Sequence, residues 1–205
     1  MKRYCTPFYL LIVLILLGLS LGGAEVRFVY DGDTVLLDGG KRVRYLGIDA
    51  PEMGYDGKGP EFMAEKARAY NAKKVQGKRI QLELDRESHD HYGRLLAYVY
   101  PPDGRMLNIE LVEKGLARVL AVPPNLRHLD RLIEAQQKAM AGRVGIWRPE
   151  VDSGEGPYIG SRKSFRFHRP DCPFGSRIHS KNRVRFDTKR DAFREGYSPC
   201  ARCRP

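Results

Sequence analysis

The sequence predicts a small closed or nearly closed β-barrel with helices packed on it, followed by a second, smaller module. Three observations predict it. Five short strand patterns interleave with three helical patterns in residues 25–148, which fits a barrel dressed with helices. A polar Gly/Pro segment, "RPEVDSGEGP" at 148–157, then interrupts the pattern as a linker does. Beyond it, both the charge balance and the cysteine content change.

The strand patterns open with "VRFVY" (26–30), "TVLL" (34–37) and "RVRYLGI" (42–48). Asp38-Gly39-Gly40 between the last two is a hairpin turn signal. Residues 60–76 read as a helix: Pro60 suits a first turn, Glu61 favours the positive end of the dipole, and Met63, Ala67 and Tyr70 share a face. "IQLELD" (80–85) alternates, "RLLAYVY" (94–100) is a further strand, and Pro101-Pro102-Asp103-Gly104 is a turn. "LNIELVEKGLA" reads as a short helix ending near Gly115. A longer one, about 126–141, puts Leu129, Leu132, Ile133, Gln136 and Met140 along one side.

Residues 1–24 read as a signal peptide. "MKRYCTP" is basic, an apolar run follows from Phe8 to Leu21, and Gly22 and Ala24 suit a cut before Glu25. A secreted or periplasmic protein is expected, with no stable membrane span after cleavage; the alternative is an anchor formed by residues 8–24. The formal net charge is +11, yet residues 25–156 carry 21 basic and 21 acidic side chains. Residues 157–205 carry 13 basic and 4 acidic ones, so the C-terminal quarter holds nearly all the excess and suggests an anionic partner. Cleavage would remove Cys5 and leave Cys172, Cys200 and Cys203, an odd number that argues against a complete disulfide set.

Two stretches carry chemistry. The first joins "DGDT" (31–34) to "RYLGIDAPE" (44–52). The turn at 38–40 folds one arm against the other and brings Asp31, Asp33, Asp49 and Glu52 toward one barrel end with Arg44. Asp33 and Asp49 stand unequal distances from that turn, so a bulge or bend is needed to bring them level. "DHYGR" adds Arg94 at a strand start. Four gathered carboxylates call for a divalent hard cation such as Ca²⁺. Two guanidinium groups beside it form an anion clamp matched to phosphate. Metal, carboxylate base and paired arginines together describe phosphodiester hydrolysis.

From Val26 to Trp147 the chain is similar to the staphylococcal nuclease (thermonuclease) family, through "DGDTV", "RYLGIDAPE", "GPE", "YGRLLAYVY", "LNIELVEKGLARV" and "GIW". The resemblance implies a mainly β plus α fold, a five-stranded OB-type barrel with three helices. It implies Ca²⁺ ligation by Asp33, Asp49 and the Ala50 backbone carbonyl, with Asp31 in the outer sphere. It implies Glu52 as general base, Arg44 and Arg94 as phosphate-neutralising catalytic residues, and products ending in 3′-phosphates. Tyr92 matches a substrate-binding tyrosine. Two further family tyrosines are replaced by Ala121 and Pro123, and the loop from Glu52 to Gly59 is shorter and poorer in lysine than the family's.

The second stretch is H-x3-C followed by C-x2-C: His168, Cys172, Cys200 and Cys203. Three sulfurs and one imidazole are a tetrahedral zinc set. Residues 158–205 resemble an Ada-type metal-binding module, through "YIGSRKSFRFHRPDC", "NRVRF" and "DAFREGYSPCARC". His168 stands where that repair protein has its methyl-accepting cysteine, so methyl transfer is not implied. With three thiolates and Zn²⁺ the module would carry about +8, which suits a nucleic-acid-retaining element. The expected whole is a monomeric, Ca²⁺-dependent endonuclease acting on DNA and RNA, with a structural zinc module. The alternative is a catalytically weak nucleic-acid-binding protein built on the same barrel.

Overall fold

The computed structural model describes residues 20–54, 57–148 and 156–205. Most of the expected signal segment, part of the Glu52–Gly59 loop and most of the expected linker lie outside the described residues. The barrel strands are β1 (Ser20–Val29), β2 (Thr34–Leu37) and β3 (Arg42–Tyr45), followed by the two-residue β4 (Ile48–Asp49). Helix α1 (Ala64–Val75) leads to β5 (Arg79–Glu83) and β6 (Leu95–Tyr100), then α2 (Leu107–Glu113), β7 (Arg118–Val119) and α3 (Leu129–Ala141). A 3₁₀ turn, Gly145–Trp147, ends this part.

The barrel closes in the order β1-β2-β3-β6-β5, as expected of a five-stranded barrel with helices. Its interior is filled by fully buried side chains such as Val26, Val35, Val43, Ile80, Ala97 and Val99. The parallel β3–β6 pairing sets Val43 opposite Leu95. That register draws Arg94, one residue before β6, alongside the start of β3. The first strand starts at Ser20 rather than Val26, and its Ser20–Ala24 half pairs with β5. The expected cut after Ala24 therefore falls inside a paired strand. Alternation is hard to read there because the Gly22-Gly23 pair has no side chains and the strand opens at the end of the apolar run from Phe8 to Leu21. Among the described residues, no helix is long and apolar enough to cross a membrane.

The expected single strand over 42–48 is broken. Gly47 takes a left-handed φ of 75°, and β4 leaves the barrel to pair with β7, Asp49 opposite Arg118. A Cβ at Gly47 would lie 2.5 Å from Leu132 Cδ1, so side chains are excluded by packing as well as by backbone conformation. This break supplies the bend needed to bring Asp49 toward Asp33. The expected helix over 60–76 likewise starts later, at Ala64. Met63 is left-handed (φ 71°), and Glu61 lies ahead of the helix rather than in its first turn.

Each barrel helix contributes one fully buried amide that bonds the backbone around the barrel's end. Asn71 of α1 accepts from Tyr45 Oη–H at 2.8 Å and donates to the Asp31 carbonyl at 2.9 Å. Asn108 of α2 accepts from Val99 N–H at 2.9 Å and donates to the Leu46 carbonyl at 2.8 Å, at the strand break. Gln136 of α3 accepts from Val119 N–H at 2.7 Å. Buried peptide groups outside the ladders need such partners, so these amides shape the loops that strand pairing leaves free.

The C-terminal residues form a four-stranded sheet in the order β10-β8-β9-β11. Its members are β8 (Tyr158–Ser161), β9 (Arg166–His168), β10 (Arg183–Phe186) and β11 (Ser198–Pro199), with short helices α4 (Pro173–Ser176) and α5 (Lys189–Arg194). Tyr158, Phe167, Phe186, Phe193 and Tyr197 form one apolar cluster with Ala139, Met140 and Trp147 from the end of the barrel part. The sheet therefore shares a core with α3. Most of the basic segment's aromatics are used in that core, while Phe174 is exposed.

Candidate active site

Asp31, Asp33, Arg44, Glu52 and Arg94 line one cleft of about 420 Å³, together with Tyr30, Thr34 and Arg42. The loop between β1 and β2 is folded by its own acids: Asp33 N–H donates to Asp31 Oδ1 at 2.9 Å. Asp33 is nearly buried and accepts from Thr34 Oγ1–H at 3.1 Å and from Ala50 N–H at 2.6 Å. Ala50, two residues before Glu52, is thereby tied directly to the acidic loop.

Arg44 stands between the two outer carboxylates. Its Nη1 pairs with Asp33 Oδ1, and its Nη2 donates to Asp49 Oδ1 at 3.0 Å. Asp49 also accepts from Arg118 Nε–H at 3.1 Å and Nη2–H at 2.7 Å, both on Oδ2. One guanidinium thus reaches Asp33 and Asp49 together. Asp49 and Ala50 face an adjoining pocket of about 200 Å³ with Pro51, Glu61, Phe62, Arg118 and Ile146. Five of the seven residues read from the sequence line the cleft; Asp49 and Ala50 line the second pocket and join the cleft through their bonds to Arg44 and Asp33.

The electrostatics follow from burial. Burial lowers the Arg44 pKa from its ordinary value, opposed by Asp49 and Asp31. Burial raises Asp31, opposed by Arg44 and Thr34. Burial, then the charge of Asp31, holds the Glu52 carboxyl above its usual range, while Arg44 pulls it down. A carboxylate with a raised pKa beside two guanidinium groups is suited to proton abstraction next to a bound anion. Arg94 is aimed by Asp90, which accepts its Nε–H at 2.7 Å and its backbone N–H at 2.9 Å.

Tyr92 lies in a neighbouring groove of about 600 Å³ with Gly40, Lys41, Arg42, His89, Gly93, Arg94 and Leu95. Tyr92 is 73% exposed, with the Arg94 guanidinium 5.5 Å from its ring centroid. Arg42 and Arg94 line both cavities, so the two are neighbours across these side chains. Ala121 is buried and offers no surface.

Sequence reasoning missed Arg42, Arg118 and Glu61. Arg42 was signalled by its place two residues from Arg44, since alternate strand residues share a face. Arg118 had no signal, because β7 is too short to show a period. Glu61 looked like a helix-start acid.

The C-terminal cluster assembles as its spacing suggests. The ligating atoms of His168, Cys172, Cys200 and Cys203 all lie within 4.8 Å of one another. His168 Nδ1 is 3.4 Å from Cys172 Sγ. Burial disfavours the Cys172 thiolate, but backbone N–H groups of Gly175 and Phe174 and the neighbouring thiols bring its pKa below the usual value. Three sulfurs and an imidazole at this separation fit a tetrahedral soft or borderline metal.

Residues 42–149 match the family described as staphylococcal nuclease homologue. The chain is 37% identical over 125 residues to a thermonuclease of Staphylococcus intermedius, covering 60% of this chain and 74% of that protein. It is 38% identical over 122 residues to endonuclease YncB of Bacillus subtilis (strain 168), spanning 57% of each. A thermonuclease of Staphylococcus hyicus is 33% identical over 126 residues, 60% of this chain and 74% of that protein. The family match ends at residue 149, ahead of the Cys/His cluster. The barrel, the charged cleft and these matches agree: the chain belongs to the staphylococcal nuclease homologue family.

Proposed function

We propose that the chain is a secreted, Ca²⁺-dependent endonuclease that hydrolyses phosphodiester bonds of DNA and RNA, with a zinc-bearing basic module that retains nucleic acid. The single observation that carries the catalytic reading is the cleft where Glu52 meets Arg44 and Arg94 beside Asp31 and Asp33. Relatives named as thermonucleases and an endonuclease support the same reaction class.

The donor set fits a hard divalent cation. Asp33 and Asp49 supply carboxylate oxygens close enough to share one guanidinium, and Asp31 sits one hydrogen bond behind. When bound, Ca²⁺ would offset charge growing on the phosphate. The chain's own groups do the rest. Arg44 and Arg94 hold the phosphate and neutralise its equatorial oxygens. Glu52 takes a proton from the water that attacks phosphorus. The water's oxygen stays on phosphorus as part of the 3′-phosphate, the P–O5′ bond breaks, and the 5′ oxygen takes a proton from solvent, to which Glu52 returns its own. Arg42, Lys41 and Tyr92 continue the path for the adjoining nucleotide. His168, Cys172, Cys200 and Cys203 hold Zn²⁺ as a structural ion.

The test is digestion of DNA and RNA by the wild type with Ca²⁺ and with a chelator, alongside Glu52→Gln and Arg94→Ala. Cleavage should need the ion and fall at least about a hundredfold in each variant. Equal, chelator-resistant turnover by all three would refute the assigned ion and residues, and binding without cleavage by the wild type would leave a binding protein.

A further inference from the structure

One residue, Val119, is held by its N–H and its carbonyl between the barrel's last helix and the C-terminal sheet. Gln136 accepts its N–H at 2.7 Å through Oε1, and Ser198 Oγ–H donates to its carbonyl at 2.9 Å. The remaining end of Gln136, Nε2, donates to the Phe193 carbonyl in α5. Gln136 and Ser198 are 0% and 1% exposed, so neither trades these bonds with water. Gly196 packs so closely on the same place that a Cβ there would lie 2.7 Å from Ile133 Cδ1.

Each side of this clamp leads to a group of metal-binding character. On the barrel side, Val119 is adjacent to Arg118, which grips Asp49 through two N–H groups and lies opposite it in the β4–β7 pair. The next residue, Leu120, donates to the Gly47 carbonyl at 2.9 Å, at the strand break. On the other side, Ser198 lies in β11, which pairs with β9 with Ser198 opposite Arg166. His168 ends β9, and Cys200 follows β11, its N–H donating to the Phe167 carbonyl at 2.9 Å. The strands that present two cluster ligands are therefore the strands that hold Ser198.

We infer that Gln136 and Ser198 are positioning residues for Asp49, and that through them metal binding at the Cys/His cluster is coupled to cation binding at Asp49. The inference rests on the reading of both sites given under Proposed function. An ion at the cluster ties β9 to β11 and fixes the Ser198 hydroxyl against Val119. That holds β7, keeps Arg118 in register with Asp49, and presents Asp49 toward Asp33. A ligand shifts an equilibrium only through its preference between states; the preferred state here is the clamped one for both ions. Such coupling is reciprocal, and each ion must alter the other's affinity by the same factor.

The test uses the full chain and two binding measurements. Ca²⁺ is titrated calorimetrically into zinc-loaded and zinc-stripped protein, and zinc release to a chromophoric chelator is followed with and without Ca²⁺. Stripping zinc should weaken Ca²⁺ binding by about fivefold or more, and Ca²⁺ should tighten zinc binding, read from the chelator competition at equilibrium, by the same factor. Ser198→Ala should bind both ions but lose the coupling, and Ser198→Thr, which keeps the hydroxyl, should restore it. Should Ser198→Ala not fold, the wild-type Ca²⁺ affinities with and without zinc decide alone, since equal affinities would leave no coupling for the clamp to carry. Both ions bound with independent affinities would overturn the clamp and leave the two sites standing. Failure of the full chain to bind either ion would overturn the site reading and the clamp with it.

Discussion

The backbone N–H of Glu52 donates to the Glu61 carboxylate at 3.0 Å, and the N–H of Glu61 returns a bond to the Glu52 carbonyl at 2.9 Å. Glu61 therefore fixes the backbone that carries the proposed base. Its charge also helps to raise the Glu52 pKa, behind the larger effects of burial and Asp31. Glu61→Ala should lower kcat about tenfold, a barrier increase of about 1.4 kcal/mol, with little change in KM. Glu61→Gln keeps an acceptor oxygen and should lose much less. Steady-state kinetics on DNA distinguish the two; equal losses would mean that the carboxylate's charge, not its hydrogen bond, is what matters.

The pH profile follows from Glu52. Its pKa is raised above the ordinary 4.5, first by burial and then by Asp31 and Asp49, against the pull of Arg44. The base works when ionised, so kcat/KM should fall as pH drops through that raised value. The fall should begin at a higher pH than an ordinary exposed glutamate would give. Glu52→Gln should remove this acidic limb along with at least about a hundredfold of the rate. An acidic limb that persists in the variant would assign it to another group.

Asp31 makes a prediction of the opposite kind. Its folded-state pKa is raised by burial, with Arg44 and Thr34 opposing. The folded chain then holds this proton more tightly than the unfolded chain does. Stability from this group is greatest at low pH and falls as pH rises through the raised value. Asp31→Asn removes that cost while keeping an oxygen to accept the Asp33 N–H. The variant should have a higher Tm than wild type at pH 7, an advantage that shrinks below the unfolded value, together with weaker Ca²⁺ binding. Thermal melts across pH check the sign.

The barrel was legible because its strands alternate and its turns are marked, as at Asp38-Gly39-Gly40. Asp31, Asp33, Arg44, Glu52 and Arg94 were legible because they stand in tight loops or near strand ends, whereas Arg42 of the same cleft was passed over. What was not legible depended on contacts distant in sequence. At the break, Leu132 on α3 leaves no room for a side chain at Gly47. Arg118 matters only because a two-residue strand meets Asp49. Asn71 and Asn108 did carry a signal, a polar residue in phase with apolar ones: Asn71 with Ala64, Ala67 and Val75, and Asn108 with Leu111 and Val112. Nothing in helix periodicity says which backbone such an amide will reach.

Asn108 tests that last point. It is fully buried and serves Val99 N–H and the Leu46 carbonyl. Asn108→Ala leaves both peptide groups buried without this partner, at about 1–3 kcal/mol for each, so a loss of about 3 kcal/mol is expected in chemical denaturation. Asn108→Asp keeps the acceptor for Val99 but loses the donor to Leu46, and it adds a buried charge, so it should be no more stable. A loss below about 1 kcal/mol for the alanine variant would show that the strand break holds without this amide.

Retention of nucleic acid by the basic module is best tested by charge rather than by deletion. Removing residues 157–205 would uncover Met140 and Trp147, which pack with Phe193 and its neighbours, and would take away the Ser198 and Phe193 bonds to the barrel part. Weaker binding after such a cut would not separate lost charge from a damaged barrel. Arg162, Lys163 and Arg185 are exposed and lie outside the shared core. Replacing all three with Gln should leave Tm nearly unchanged and weaken DNA binding at low salt. If each contacts one phosphate, the slope of log K against log salt should become shallower by about 0.9 per contact on duplex DNA. The kcat on short substrates should stay the same, because these residues lie outside the cleft. An unchanged slope would assign retention to the Lys41, Arg42 and Arg94 groove of the barrel instead.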